Sequence, residues 1–198
     1  MRFHRCGANL FLHRFFGSCV ATLEPSLVDK ILALHFSLEQ AEIDHAFGGA
    51  LALAFYTREP RATADIDLNV SVDGDDVLRV FRALPSGVKW AEGDATQVRR
   101  DDQVRLWWGR TPIDLFFRAS LFHLGVAERS VCHRFANEEL PFLSANDLSV
   151  FKALFNRPKD WLDIEAMLAA DSVDRAWVIA TLESLLGEDD RVDRVRSA

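Results

Sequence analysis

Apolar positions recur along this chain with two periods, and the change from one to the other predicts an α+β fold. Behind Pro25 and Ser26, residues Leu27, Ile31, Leu34 and Leu38 lie on one helical stripe, which predicts a packing helix. The segment Asp65-Ile66-Asp67-Leu68-Asn69-Val70 alternates strictly instead, the period of a half-buried strand. Upstream, Ala46-Phe47 reads as a short strand that turns through Gly48-Gly49 into an apolar helix over 50–55. Past the alternating segment, Asp73-Gly74-Asp75-Asp76 opens a helix with the stripe Val77, Val80, Phe81 and Leu84, and Pro85-Ser86-Gly87 closes it. An irregular β region is expected from Val88 through Val98, followed by a strand over 104–108. A hairpin turn at Gly109 to Pro112 then leads into a strand with Ile113, Leu115 and Phe117 on one face.

After two further short strands, at 130–135 and 140–142, the pattern becomes helical. Ser144 and Asp147 form a capping pair for a helix with Leu148, Phe151 and Phe155 as its buried stripe, and Pro158 breaks it near Asn156. Trp161, Ile164 and Leu168 then recur toward the core, with Lys159 and Asp163 spaced as an i,i+4 surface pair. A closing helix from about Asp174 to Leu186 packs through Val178, Leu182 and Leu185, and the charged end from Gly187 is expected to fray. The organisation predicted is an extension over 1–24, a mixed-sheet core over 25–143 and a helical region over 144–198.

A chain of 198 residues can bury a substantial core. Its net charge of -7 argues against broad, non-specific nucleic-acid binding, while Arg58, Arg61, Arg99, Arg100, Arg105 and Arg110 leave room for a local basic groove. Cys6, Cys19 and Cys132 lack metal-ligand spacing and read as free thiols in a reducing cytosol. Arg2, His4 and Arg5 precede a partly apolar run that imitates a secretory signal, but His13 and Arg14 interrupt it. No run is long enough to span a bilayer, so a cytoplasmic location without a membrane is expected. His35 and His45 have no partner at a ligand spacing and read as structural.

In the alternating segment Asp65 and Asp67 project from one face, about 7 Å apart along the strand, within reach of one hard cation or a pair of them. Mg²⁺ takes oxygen ligands and borrows several from substrate phosphates, so such carboxylates suit a metal and triphosphate site; an exposed acidic strand is the plain alternative. Gly48 and Gly49 would let the backbone approach an anion at the start of a helix, and Arg58 and Arg61 would either steady phosphates or face water. Asp114 lies in so apolar a strand that it needs a partner. It is either a third carboxylate of the site or a salt-bridge partner of Arg110 or Arg118. Lys152, beside a buried stripe, can reach inward as a compact charge.

Gly48-Gly49, the intervening helix, Thr63 and Asp65-Ile66-Asp67-Leu68 resemble the signature of the DNA polymerase β-like nucleotidyltransferase superfamily, most closely the AbiEii/MenT toxin family. The segment from Lys152 through Arg157, Lys159, Asp160 and Asp163 resembles that family's downstream motif. Two departures are Ala50, where many members carry Ser or Thr, and a longer run between Gly49 and Asp65. The resemblance implies a small mixed-sheet nucleotidyltransferase core flanked by helices. It further implies catalytic Asp65, Asp67, Asp114, Lys152 and Asp163, with Asp65, Asp67 and Asp114 holding two Mg²⁺ ions. A nucleoside triphosphate (NTP) would bind at Gly48, Gly49, Arg58, Arg61 and Thr63. The acceptor it implies is the 3′ end of tRNA, with growth inhibition and a cognate antitoxin as partner. A small-molecule or protein acceptor, and a non-catalytic binding protein on the same scaffold, remain as alternatives.

Overall fold

The computed structural model describes residues 24–58 and 62–198, so the expectations for residues 1–23 and for Arg61 lie outside the described residues. Seven strands form one mixed sheet: β1 (His45–Phe47), β2 (Ile66–Asp73), β3 (Val88–Lys89), β4 (Gln103–Trp108), β5 (Thr111–Arg118), β6 (Val131–Phe135) and β7 (Glu138–Phe142). Their order is β3-β4-β5-β2-β1-β7-β6. The pairs β2/β5 and β1/β7 are parallel and the other neighbours antiparallel. Helices α1 (Leu27–Gln40), α2 (Gly49–Tyr56), α3 (Val77–Ala83) and α4 (Glu92–Asp101) alternate with the first strands. The short α5 (Leu121–Leu124) and α6 (Val126–Arg129) precede β6, and α7 (Ala145–Phe155), α8 (Pro158–Ala169), α9 (Arg175–Leu186) and α10 (Asp190–Ser197) complete the chain.

The alternation read in the sequence sorts the sheet into two faces. Ile66, Leu68, Ile113 and Leu115 are completely buried and join Ile31, Leu34 and Leu38 of α1, Val80 of α3 and Val98 of α4 in one cluster. Each such side chain contributes about 1.5–3 kcal/mol relative to exposure. Helix α1 starts on a capping box in which Ser26 accepts from the Asp29 N–H at 3.2 Å and Asp29 accepts from the Ser26 N–H at 3.0 Å. Its one buried cation, Lys30, donates to Glu24 at 2.7 Å, to the Trp108 carbonyl at 3.0 Å and to Thr111 at 2.9 Å, tying the helix to the β4–β5 hairpin.

Several local expectations change. The irregular β region after Val88 shrinks to a two-residue strand followed by helix α4. Asp94 accepts from the Ala91 N–H at 2.7 Å to start that helix, and only Ala95 and Val98 of it face the core, so its polar composition hid the period. The end from Gly187 is not frayed: Asp189 caps α10, Val192 and Val195 are buried, and the Arg194 guanidinium lies 4.3 Å from the centre of the Trp161 ring. On α7, Phe155 is exposed instead of buried, on α8 Met167 takes the core place expected of Leu168, and Leu185 of α9 is exposed. Cys132 is disulfide-bonded, contrary to the expectation of free thiols. Among the described residues no helix is long and apolar enough to cross a membrane.

Candidate active site

The polar face of the sheet gathers around the turn from β1 into α2. Gly48 has extended backbone and donates its N–H to the Asp67 carbonyl at 2.9 Å, which fixes the turn against β2. Gly49 begins α2 with φ +54°, and a Cβ there would stand 1.8 Å from an Asp67 carboxylate oxygen. Both the left-handed backbone and the close approach therefore require glycine. The consequence is a helix start whose unpaired N–H groups lie beside the Asp67 carboxyl, the arrangement that serves anions.

Strand register then lines up the charged residues. Asp67 is opposite Asp114 across the parallel β2/β5 pair, and Asp114 is opposite Arg105 across the antiparallel β4/β5 pair. Arg105 grips Asp114 through two bonds of 2.7 Å and stands 3.8 Å from Asp65. This answers the question of Asp114's partner with a residue other than Arg110 or Arg118; Arg118 instead bonds Asp73 at 3.1 Å. Asp65 sits at the mouth, with its N–H bonded to the Thr63 hydroxyl at 3.2 Å. Asp67 is the strained member: burial, then the Asp114 charge, push its carboxyl up to about 6. Among the described residues that carboxyl has no hydrogen-bond or ion-pair partner.

The donor set suits a hard cation such as Mg²⁺: all oxygen, with like charges on adjacent strands whose repulsion a cation would relieve. Arg105 uses two of the roughly four acceptor positions on the Asp114 carboxylate and leaves the others. Among the described residues no group of three or more His, Cys, Asp or Glu side chains is placed to hold a metal ion, so a cation at the carboxylates would draw most of its ligands from phosphate oxygens and water.

Helices α7 and α8 build the opposite wall. Lys152 is buried, bonds Asp163 at 2.6 Å and lies 3.7 Å from Asp160. The expected Lys159–Asp163 pair is thus replaced by an ion pair between helices. Arg157, just before Pro158 at the start of α8, is held by Asp160 through bonds of 2.6 and 3.1 Å, and its positive charge is felt by Asp67. A small cavity of about 30 Å³ lies between Gly49, Asp67, Asn69, Lys152 and Arg157. A wider cleft of about 320 Å³ adjoins it, sharing Asp67, Phe155 and Arg157 and adding Asp114, Arg105, Gln97 and Gln103. The larger cavity of about 550 Å³ near α9 and α10 shares no residue with either.

The structure brings Gly48, Gly49, Asp65, Asp67, Asp114 and Lys152 together, with Asp163 behind Lys152 and Thr63 behind Asp65. It does not bring Arg58 there: that residue is exposed beyond the Thr57 cap of α2, about 12 Å along the helix from Gly49. Residues that sequence reasoning missed are Asn69, Gln97, Gln103 and Phe155, while Arg157 was read only as part of the downstream motif and not as a site residue. Asn69 repeats the Asp65/Asp67 period and was legible as a third polar residue on that face. Trp107 is 49% exposed on the Arg105 side of β4, whereas Trp108 packs on Gly87.

Two solved structures share the fold. A solution structure of the antibiotic-resistance factor ANT(2'')-Ia superposes with a TM-score of 0.51 at 13% identity, covering 88% of this chain and 91% of that one. A crystal structure of ANT(2'')-Ia in complex with adenylyl-2''-tobramycin gives 0.50 at 15% identity, covering 86% and 94%. A comparison with curated protein sequences gave no match. Residues 30–197 match the family model described as nucleotidyl transferase AbiEii toxin, type IV toxin-antitoxin system, a span that includes the glycine turn, all three carboxylates and the α7–α8 wall. The chain belongs to the AbiEii nucleotidyl transferase toxin family.

Proposed function

We propose that this chain transfers a nucleoside monophosphate from an NTP to the 3′ end of tRNA, thereby blocking translation, and that it does so in the cytoplasm under the control of a cognate antitoxin. The observation that carries the reading is the fit of Gly49 against Asp67, which sets an anion-binding helix start beside a carboxylate pair. The N–H groups at the start of α2 orient the triphosphate, and Arg157 offsets charge that develops on the leaving group. Lys152 adds a fixed positive charge behind the same cavity and is itself aligned by Asp163. Two Mg²⁺ ions, when bound at Asp65, Asp67 and Asp114, would supply charge that neutralises the phosphates and lowers the pKa of the attacking hydroxyl. Asp114 accepts the proton of the acceptor hydroxyl while that oxygen bonds to the α-phosphorus. The bond from the α-phosphorus to the oxygen bridging it to the β-phosphate breaks, and pyrophosphate leaves.

An antibiotic acceptor of the kind named in the ANT(2'')-Ia complex is less well supported. The cleft beside Asp114 is lined by Arg105, Arg157, two glutamines and Phe155 as well as by acids, walls better suited to a base than to a sugar-like ligand. The reading is tested by incubating the protein with Mg²⁺, tRNA and each of the four α-labelled NTPs, then mapping the label. We expect label at the tRNA 3′ end with one nucleotide preferred; no labelled RNA from any NTP would overturn the reading.

A further inference from the structure

The 320 Å³ cleft on the Asp114 side has a composition that the transfer chemistry does not explain. Gly49 and Lys152 line the smaller cavity instead, which shares Asp67, Phe116, Phe155 and Arg157 with this cleft. In the cleft, two neutral amides, Gln97 of α4 and Gln103 of β4, stand beside Arg105 and the ring of Phe155. Neither amide side chain is engaged by another of the described residues. Phe155 is 41% exposed on a helix whose other apolar residues are covered, so burial is not what keeps it aromatic. It is nevertheless held in place: Arg157 lies 4.9 Å from its ring centre and Phe116 contacts it at 5.6 Å with the planes tilted by 53°. A tilted neighbour leaves a wedge instead of a closed stack.

We propose that this cleft is the acceptor subsite, that Phe155 stacks on the terminal base of a single-stranded RNA, and that Gln97 and Gln103 hydrogen-bond the edge of that base. The inference rests on the transfer reading in one respect: Asp114 accepts a proton from the acceptor hydroxyl, so the acceptor must enter on the Asp114 side. The rest is the chemistry of the walls. An exposed aromatic ring backed by a guanidinium is a stacking platform for a base, and amides with free donors and acceptors can distinguish one base edge from another. The volume suits one nucleoside-sized group, at the lower end of small-molecule pockets, which run from about 300 Å³ upward.

The test uses the full chain and short single-stranded RNA oligonucleotides ending in A, G, C, U or an abasic ribose. Binding is followed by fluorescence anisotropy, and transfer is followed separately from a saturating NTP. We expect the abasic oligonucleotide to bind more weakly than the best base-ended one by about tenfold or more. Phe155→Ala should abolish that difference and raise the KM for RNA. Phe155→Trp should restore it, and Gln103→Leu should reorder the preference among the four bases. If the wild type binds the abasic and base-ended RNAs equally, or if Phe155→Ala keeps the discrimination, the inference is wrong. If base-dependent binding that requires Phe155 occurs without transfer, the subsite stands and the catalytic reading falls instead.

Discussion

At the scale of single residues the site is defined by Asp67 and by the glycine that makes room for it. The folded-state value of about 6 lies above the roughly 3.9 of an unfolded aspartate, so the folded protein holds this proton more tightly. Below pH 4 both states are protonated and the residue is neutral in its effect. Between pH 4 and 6 stability falls as pH rises, and above 6 the full penalty is present, about 3 kcal/mol at about 1.4 kcal/mol per unit. Asp67→Asn should therefore stabilise the metal-free protein at pH 7.5 and not at pH 4, as measured by denaturant unfolding in chelator. Equal stabilisation at both pH values would disprove the linkage. Gly49→Ala should lower stability by about 1–3 kcal/mol, the scale of a non-glycine residue forced into positive φ, and it should abolish transfer by displacing Asp67. Gly93→Ala in α4 is the control, because a Cβ there meets nothing. It should stabilise by about 0.5–1 kcal/mol.

At the scale of elements, two buried contacts join helices to the sheet and to each other. His35 of α1 and His45 of β1 meet at 3.0 Å, and His45 Nδ1 faces the Ile43 carbonyl at 2.9 Å. His45 Nδ1–H must then donate to that carbonyl while His45 Nε2 accepts from His35 Nδ1–H, an arrangement that requires a neutral His45. Burial, reinforced by the neighbouring His45, lowers His35 to about 4, and burial lowers His45 as well. These groups resist protonation in the fold, so they contribute no change above pH 6.5 and withdraw stability as pH falls from 6.5 toward 4. A His35→Phe variant should show a shallower acid decline over that window, and an unchanged decline would refute the assignment. Lys152→Met removes the ammonium that Asp160 and Asp163 share between α7 and α8. It should destabilise by about 3–5 kcal/mol, seen as a lowered denaturation midpoint.

The same scale separates what the sequence reveals from what it conceals. Strand β2 was legible because one face is apolar throughout, and the glycine turn because its residues have no other use. The Asp67–Asp114 pairing was not, since register between strands 47 residues apart is set by tertiary packing. Helix α4 was hidden because only Ala95 and Val98 mark its period, and α10 because its two valines sit among charges. Phe155 fitted a helical stripe yet faces the cleft, for an apolar period cannot tell a core face from a ligand-facing one. Arg105 was legible as a cation and not as the partner of Asp114.

At the scale of the whole molecule the site is composite. The sheet carries Asp67 and Asp114, with Asp65 just ahead of β2, α2 the glycine turn, and α7 with α8 Lys152 and Arg157, so the account predicts that activity depends on the helical region docking on the core. Helix α10 supports that docking through Val192, Val195 and the Arg194 contact to Trp161 of α8. Ending the chain after Gly187 should lower thermal stability and transfer together, whereas lost transfer at full stability would place α10 in the chemistry. The most direct test of the central claim compares wild type and Asp67→Asn for transfer of label from the preferred α-labelled NTP into tRNA with Mg²⁺. The account predicts labelled tRNA 3′ ends for the wild type and loss of at least 100-fold (about 2.7 kcal/mol) for a variant that remains folded. Undiminished labelling by Asp67→Asn would contradict it.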